Sequence, residues 1–326
     1  MNRINWSKSY LLTTLLVLTS LSVQAKFHTS SISNGKDTDH LELQKISDNA
    51  YAIVGPLTQR SKKNLGNNAT FGFVVTSKGV VLIDAGGSYK GAKKIHKLIK
   101  TVTKLPIKYV INSGGQDHRW FGNDYFKKQG AKIIASKAAV ADHKKRKGLQ
   151  YTMMSNLIGE TNIKGTNPDY ADIVFEASYQ LKVGDIEFQI KHAGQAHTPG
   201  DSYVWLPKQK IVFAGDIVYM ERMLAVGSMS NAKSWIRVYK KLAGLKPKIV
   251  VPGHGHANPI EKANRDTLGY LQFLYAGMKK LFDKGIDESR VSTLDQSKYS
   301  YLKVYQQLKG RNALKVFMEL EYDSMR

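Results

Sequence analysis

Short apolar runs, each ended by glycine or polar turn residues, recur between residue 41 and residue 258. Runs of this length bounded by turn residues are typical of buried β-strands. The pattern predicts two short strands within 41–54 and further strands at 71–76, 80–84, 107–111, 132–135, 173–175, 179–183, 186–192, 202–206, 210–213 and 248–251.

Between these runs the apolar residues follow the helical period of 3.6 residues instead. Helices are predicted at 90–103, 121–128 and 234–242, together with an interrupted helical stretch at 137–159. Alternating strands and helices favour a layered α/β architecture. Beyond Pro259 the pattern becomes helical only, with long helices predicted at 263–284 and 300–320.

The first 25 residues have the composition of a signal peptide. Arg3 and Lys8 precede the apolar stretch 10–21, and Val23-Gln24-Ala25 fits a cleavage site. This predicts a periplasmic or secreted protein with a flexible polar spacer at 26–40; an uncleaved membrane anchor is the alternative. No later run is long and apolar enough to cross a bilayer, so no transmembrane segment is expected after removal of the signal.

The 326-residue chain is strongly basic, and it has no cysteine. Its formal charge of +23 becomes +21 without the signal peptide, because Arg3 and Lys8 are lost with no acid. A basic surface favours anionic partners, although a solvated lysine-rich exterior explains the same excess. No stretch interleaves aromatic residues and arginines in a nucleic-acid-binding pattern. Without thiolates, a bound metal needs His, Asp or Glu ligands, or water.

Four polar turns at the ends of apolar runs carry such residues. They lie at 112–118, 195–201, 213–216 and 251–256. If these strand ends meet at one edge of the fold, they gather five side chains whose residue types bind zinc. The predicted cluster contains Asp117, His118, His197, Asp216 and His254.

The order and wording of these turns resemble the metallo-β-lactamase superfamily. His-Thr-Pro-Gly-Asp at 197–201, Gly-Asp at 215–216 and Pro-Gly-His-Gly at 252–255 stand almost letter for letter, and 68–86 is similar to the family's opening hairpin. The motifs are most similar to those of the quinoprotein relay-type zinc metallohydrolases. The resemblance implies a four-layer αββα sandwich at 41–258, with a helical C-terminal extension at 259–326 packed on it.

The first metal motif of that family reads His-x-His-x-Asp-His, and this chain departs from it. Aligned on Asp117-His118, its first two histidines become Ser113 and Gly115. Aligned instead on Phe121-Gly122-Asn123, a signature that follows the family motif, the register shifts by one residue. Both registers remain open at this point.

In the first register, one zinc site keeps only His197. The other keeps Asp117, His118 and His254, with Asp216 available, and three protein ligands suffice for a catalytic zinc. The resemblance therefore implies one zinc ion, with the second site lost. Asp117 and His197 become the candidates to orient or deprotonate the attacking water.

The implied activity is that of an exported metal-dependent hydrolase. Zinc would activate water for attack on an ester, thioester, amide or similar bond of a small molecule. Arg222, shortly after the Gly-Asp turn, is expected to face the cleft and orient an anionic substrate, or else to form a surface salt bridge. The alternative function is a catalytically inactive periplasmic binding protein that keeps the same fold.

Overall fold

A computed structural model of the protein describes residues 40–325 and the backbone of residues 29–31. The predicted signal peptide at 1–25 and most of the predicted spacer lie outside the described residues. Three residues of that spacer form a short strand, Thr29–Ser31, which pairs with Glu42–Lys45. Within the described residues, no helix is both long and apolar enough to cross a membrane.

One sheet contains eight strands, whose spatial order follows their order along the chain. Neighbours are antiparallel from β1 to β5 and parallel from β5 to β8. The strands are β1 (Thr29–Ser31), β2 (Glu42–Lys45), β3 (Ala50–Val54), β4 (Thr70–Thr76), β5 (Gly79–Ile83), β6 (Ile107–Ile111), β7 (Lys132–Ser136) and β8 (Ile173–Phe175).

The second sheet contains five strands in the order β13-β12-β11-β10-β9. All its neighbours are antiparallel except β12 and β13, which run parallel. The strands are β9 (Ser178–Val183), β10 (Ile186–His192), β11 (Ser202–Leu206), β12 (Ile211–Phe213) and β13 (Ile249–Val251).

Helices cover the outer faces of both sheets. The α-helices are α1 (Tyr89–Ile99), α2 (Asp117–Trp120), α3 (Asn123–Lys128), α4 (Lys137–Ile158), α5 (Glu160–Ile163), α6 (Ala232–Ala243), α7 (Ile260–Ala263), α8 (Tyr270–Asp283) and α9 (Tyr305–Ser324). A π-helical segment, Asn264–Gly269, joins α7 to α8.

Three apolar clusters hold these layers together. Residues such as Val74, Phe188 and Phe213 fill the space between the sheets. Another cluster packs α1 against the eight-stranded sheet. A third unites α6 with α8 and α9, where Trp235 and Phe317 belong to one buried cluster. The αββα sandwich is confirmed, and the C-terminal helices share the core of its second outer layer.

Several predicted helices differ from the observed ones. The helix predicted at 90–103 ends at Ile99, and the helix predicted at 263–284 includes the π-helical segment before α8. The stretch at 137–159, predicted to be interrupted, is one continuous helix through residue 158. Gly148 lies inside it at a cost of about 1 kcal/mol relative to alanine. Buried contacts on either side of that glycine offset the cost: His143 stacks on Trp120, and Gln150 accepts a hydrogen bond from the Trp120 indole.

The last helix begins at Tyr305 rather than at residue 300, because the preceding residues are held by another part of the chain. Val304 has a left-handed backbone with a φ of 57°. The backbone of Lys303 donates to the carbonyl of Glu221 and accepts from the amide of Met223. These contacts tie the entrance of α9 to the loop that follows β12.

Candidate metal centre

The polar turns meet at one edge of the sandwich, as their positions at strand ends predict. The turn after β6 leads into α2, which carries Asp117 and His118. The ends of β12 and β13 lead to Asp216 and His254, and the connection between β10 and β11 carries His197.

Three of these side chains form one compact buried group: His118, Asp216 and His254. One ligand atom from each lies within 4.8 Å of the others. His118 Nε2 is 3.3 Å from Asp216 Oδ2, and His254 Nε2 is 3.4 Å from Asp216 Oδ1. Each residue is at most 3% exposed. We call this set the three-ligand group.

Arg119, directly after His118, lies beneath this group and is fully buried. Its guanidinium donates to both oxygens of Asp216, at 3.0 and 2.7 Å, and to Asp84 Oδ2 at 2.8 Å. The carbonyl oxygens of Thr70 and Gly253 accept two further hydrogen bonds. A planar guanidinium suits this fork-like pairing with a carboxylate.

The two buried carboxylates bonded to Arg119 ionise differently. Burial opposes ionisation of Asp216, but Arg119 and His118 hold the pKa of its carboxyl well below the ordinary value. Burial outweighs the same arginine at Asp84, whose pKa is raised to about 6. Asp216 is therefore an anion at neutral pH, as a metal ligand has to be.

The histidines of the site are neutral at pH 7. Burial lowers the pKa of His254 to about 3, and it holds the pKa of His118 well below the ordinary value. Burial also lowers the pKa of His197. Neutral imidazole is the form that binds a metal or accepts a proton.

Hydrogen bonds fix which ring nitrogen is free. His254 Nδ1 lies 2.9 Å from the carbonyl oxygen of Asn68, and His197 Nδ1 lies 2.9 Å from that of Ala225. A carbonyl only accepts, so both rings carry their proton on Nδ1 and keep a lone pair on Nε2. Two imidazoles and one carboxylate match a three-ligand zinc site in number and type.

A pocket of about 220 Å³ opens over the group. His118, His197 and His254 line it, and so do three arginines, Arg60, Arg222 and Arg311. No carboxylate is among its lining residues in the part of the chain that the structure describes. Arg311 comes from α9, so the C-terminal extension forms part of the wall.

Arg222 faces this pocket and is 5% exposed. It donates to the carbonyl oxygens of Leu57 and Met223. Across residues 40–325 no carboxylate forms an ion pair with it, so the surface salt bridge considered as an alternative is not observed. A buried guanidinium without a counter-ion is unusual, because burying an unpaired charge is costly.

Asp117 and His197 lie outside the three-ligand group. The Asp117 carboxylate is buried and accepts a hydrogen bond of 2.5 Å from Arg60 Nη2. His197 lines the pocket, and its Nε2 makes no hydrogen bond with the described residues. Both residues had been grouped with the ligands from the sequence, and the structure brings together His118, Asp216 and His254 without them.

The positions assigned to the lost histidines do not face the pocket. Ser113 is fully buried and donates to Asp84, and a side chain at Gly115 would collide with the Asp142 carboxylate. Gln116 does line the pocket. The place of Gln116 favours the shifted register, in which His118 takes the place of the motif's aspartate. The first histidine of that register falls on Gly114, where an added Cβ would lie 2.5 Å from Asp201 Oδ1.

Two residues of the site were missed from the sequence. In the shifted register Arg119 occupies the position of the motif's last histidine. That alignment could have identified Arg119 as a site residue. Arg60 lies in a loop with three basic residues beside the site, but nothing in that loop distinguished it from Lys62 and Lys63.

Comparison with known proteins agrees with this geometry. The sequence model of the metallo-beta-lactamase superfamily matches residues 66–254, more than half of the chain. The chain belongs to the metallo-β-lactamase superfamily. The matched region begins before β4 and ends at His254, so it includes every residue of the three-ligand group.

Individual superfamily members are distant relatives. A "Metallo-beta-lactamase type 2" from Elizabethkingia meningoseptica is 28% identical over 227 residues, which cover 68% of this chain and 81% of that protein. One from Bacillus sp. (strain 170) is 24% identical, covering 76% of this chain and 89% of that protein. The described C-terminal helices lie beyond the region that the family model matches.

Solved structures of superfamily members share the fold. A metallo-beta-lactamase from Pontibacter korlensis superposes with a TM-score of 0.54 at 24% identity, covering 72% of this chain and 99% of that one. The DIM-1 metallo-beta-lactamase gives a TM-score of 0.56 at 18% identity, covering 72% and 97%. At such identities the likeness concerns the fold alone.

Proposed function

We propose that the protein is a metal-dependent hydrolase that holds one zinc ion with His118, Asp216 and His254. The observation that carries this proposal is the three-ligand group itself, buried at the base of the pocket. Two imidazoles and a carboxylate leave an open position on the ion, as in catalytic zinc sites. When bound, zinc supplies Lewis-acid chemistry, which polarises a substrate carbonyl and activates water.

His197 is the proposed general base. Its Nε2 keeps a lone pair, since Nδ1 donates to Ala225, and burial keeps the ring neutral at pH 7. A neutral imidazole beside the reacting centre is suited to take a proton from the attacking water. Asp117 was the other candidate for this role, but its carboxylate is bonded to Arg60, so we propose that it positions neighbouring groups instead.

The proposed substrate is a small molecule with an ester, thioester, amide or similar bond and an anionic group. Three arginines and no carboxylate line the pocket, which favours negative charge on the ligand. A volume of about 220 Å³ lies below the range of typical drug-sized pockets. The relatives named metallo-beta-lactamases make a β-lactam amide one bond to be assayed.

Zinc content and hydrolysis, measured on the parent and on His254→Ala, test the proposal. We expect one zinc per parent chain, with both zinc and hydrolysis lost in the variant, because two remaining ligands do not retain the ion. His256→Ala is the matched control: it removes an imidazole two residues away that belongs outside the three-ligand group, and it should keep the zinc.

The assay should include a nitrophenyl ester, a thioester, a chromogenic β-lactam and a phosphodiester. A parent that binds no zinc after loading contradicts the proposal. So does a zinc-bound parent that hydrolyses every substrate at the same rate as His254→Ala. The second outcome would instead favour a binding protein built on the same fold.

We also propose that the protein is exported to the periplasm or secreted. The support is the composition of residues 1–25, with a basic start, an apolar stretch and small residues at the end. The mature chain is expected to begin at Lys26. N-terminal sequencing of protein purified from outside the cytoplasm checks this, and an intact Met1 in that fraction contradicts it.

A further inference from the structure

Arg60 contacts both Asp117 and His118 through one nitrogen. Its Nη2 donates to Asp117 Oδ1 at 2.5 Å and lies 2.9 Å from His118 Nδ1. A guanidinium has only donors, so His118 Nδ1 is the acceptor in this contact. The contact comes from the loop between β3 and β4, which is distant in sequence from the α2 helix that carries His118.

This hydrogen bond determines where His118 carries its proton. A neutral imidazole that accepts at Nδ1 has its hydrogen on Nε2. Nε2 in turn lies 3.3 Å from Asp216 Oδ2, an acceptor, so both contacts call for the same tautomer. His118 Nε2 is also the atom that faces the other two ligands. With Arg60 in place, that atom has no lone pair to give to a metal.

His254 provides the contrast within the same group. Its Nδ1 donates to the carbonyl oxygen of Asn68, so the neutral ring keeps a lone pair on Nε2, which lies 3.4 Å from Asp216 Oδ1. Metal-binding histidines are usually oriented in this way, by an acceptor for the second ring nitrogen. His118 has a donor at that position instead. The two histidines are therefore set in opposite tautomers, and only one of them is ready to bind.

We propose that Arg60 is a positioning residue that sets the metal affinity of the site by holding His118 in its non-binding tautomer. This inference rests on the proposed function, since the ion concerned is the one assigned to the three-ligand group. Zinc and the Arg60–His118 hydrogen bond exclude each other. Binding of zinc requires Arg60 to withdraw from His118 Nδ1.

Asp117 gives His118 an alternative partner when Arg60 withdraws. Its Oδ1 lies 3.6 Å from His118 Nδ1. A small rotation brings them within hydrogen-bond distance, and the carboxylate then accepts the Nδ1 proton, as in carboxylate–histidine–zinc arrangements. Arg60 Nε is buried without a hydrogen-bond partner among the described residues, which lowers the cost of moving this side chain.

Zinc affinity of Arg60→Met tests the proposal, measured on the full chain by competition with a chromophoric chelator. We expect the variant to bind zinc roughly tenfold more tightly or better, because the parent must give up a hydrogen bond from a charged donor. Arg222→Met is the matched control. It removes the same charge from the same pocket, and among the described residues it makes no hydrogen bond to a ligand histidine, so its effect should be clearly smaller.

The His118 tautomer provides a readout that does not depend on activity. Nitrogen-15 NMR of the metal-free full chain should show the proton on Nε2 in the parent and a larger share of the Nδ1-protonated form in Arg60→Met, because only Asp216 then favours the proton on Nε2. In the Arg60→Met background, Asp117→Asn should weaken zinc binding roughly tenfold, the effect expected for loss of a partner behind a ligand. Near-ultraviolet circular dichroism confirms that each variant is folded.

Three results overturn the inference. The first is equal zinc affinity in a folded Arg60→Met and the parent, and the second is an equal gain in Arg222→Met. The third is a proton on His118 Nδ1 in the metal-free parent. These leave the proposed one-zinc site intact. If neither the parent nor Arg60→Met binds zinc, the proposed function fails as well, so the two failures are distinguishable.

Discussion

Arg119 makes five hydrogen bonds within the core of the site and has no exposed surface. Burial alone would lower its pKa, but Asp216 and Asp84 raise it above the ordinary value, so the guanidinium stays charged. It holds Asp216 in one orientation by a two-pronged contact. A lysine has a single point of contact and would leave that carboxylate free to rotate.

Arg222 is the residue through which the charge of the substrate can be tested. We expect Arg222→Lys to lower kcat/KM for an acidic ester by roughly tenfold, because ammonium cannot form a two-pronged contact with an oxyanion. Hydrolysis of a neutral ester of the same size should change little. Parallel kinetics on the two esters measure the difference.

Arg290→Lys is the control for this prediction, since Arg290 is exposed and lies outside the pocket lining. Equal losses on the acidic and neutral esters would mean that Arg222 supports the fold of the loop and does not select charge.

The sequence identified some residues of the site and missed others. His254 and Asp216 were identified because each stands at the end of a short apolar strand within a distinctive motif. Arg60 had no such marker, and its contact with His118 joins residues 58 positions apart. Contacts of that kind depend on how loops pack, which neither period nor spacing encodes.

At the scale of elements, the strands were predicted to within one or two residues wherever apolar runs ended in turn residues. Val110 and Phe213 lie on strands of this kind, and both are buried. The start of α9 was predicted too early, at residue 300, because the helical pattern extends upstream of Tyr305, the first residue of the helix. Leu302 and Lys303 favour a helix by intrinsic propensity, but the backbone of Lys303 is bonded to the loop after β12.

The contact between α6 and α9 allows a test of pH-dependent stability. Glu319 on α9 accepts a hydrogen bond from the backbone amide of Ala232, the first residue of α6, at 2.8 Å. Burial raises the pKa of Glu319 above its ordinary value of 4.5. The folded protein therefore keeps this proton to a higher pH than the unfolded chain does.

The sign of the pH effect follows from that difference. A raised folded-state pKa contributes stability that is fully present below pH 4.5 and is lost as pH rises through the folded pKa. Glu319→Gln keeps an acceptor for Ala232 and does not titrate. We expect the melting temperature of Glu319→Gln minus that of the parent to rise as the pH increases from 4.5 to the folded-state pKa of Glu319. Above that pKa the difference should level off. Glu288→Gln, at an exposed position, should show no such trend; a flat difference for Glu319→Gln contradicts the prediction.

At the scale of the whole molecule, the C-terminal helices belong to the same core as the second sheet. Tyr270, Val316 and Phe317 are buried in one cluster with Trp235 of α6. The change of pattern after Pro259 predicted C-terminal helices, and the structure contains them. Its contribution to the pocket was not predicted, because Leu308, Arg311 and Asn312 read as ordinary positions of an amphipathic helix.

The attachment of α9 to the pocket loop has a consequence for the order of events during synthesis. Asn312 donates to the carbonyl of Leu224 and accepts from the amide of Val226, and Lys303 pairs with the backbone on either side of Arg222. The ligands of the three-ligand group precede residue 255, so all three are synthesised before α9. A nascent chain therefore has its metal-binding residues before it has the α9 wall of its pocket.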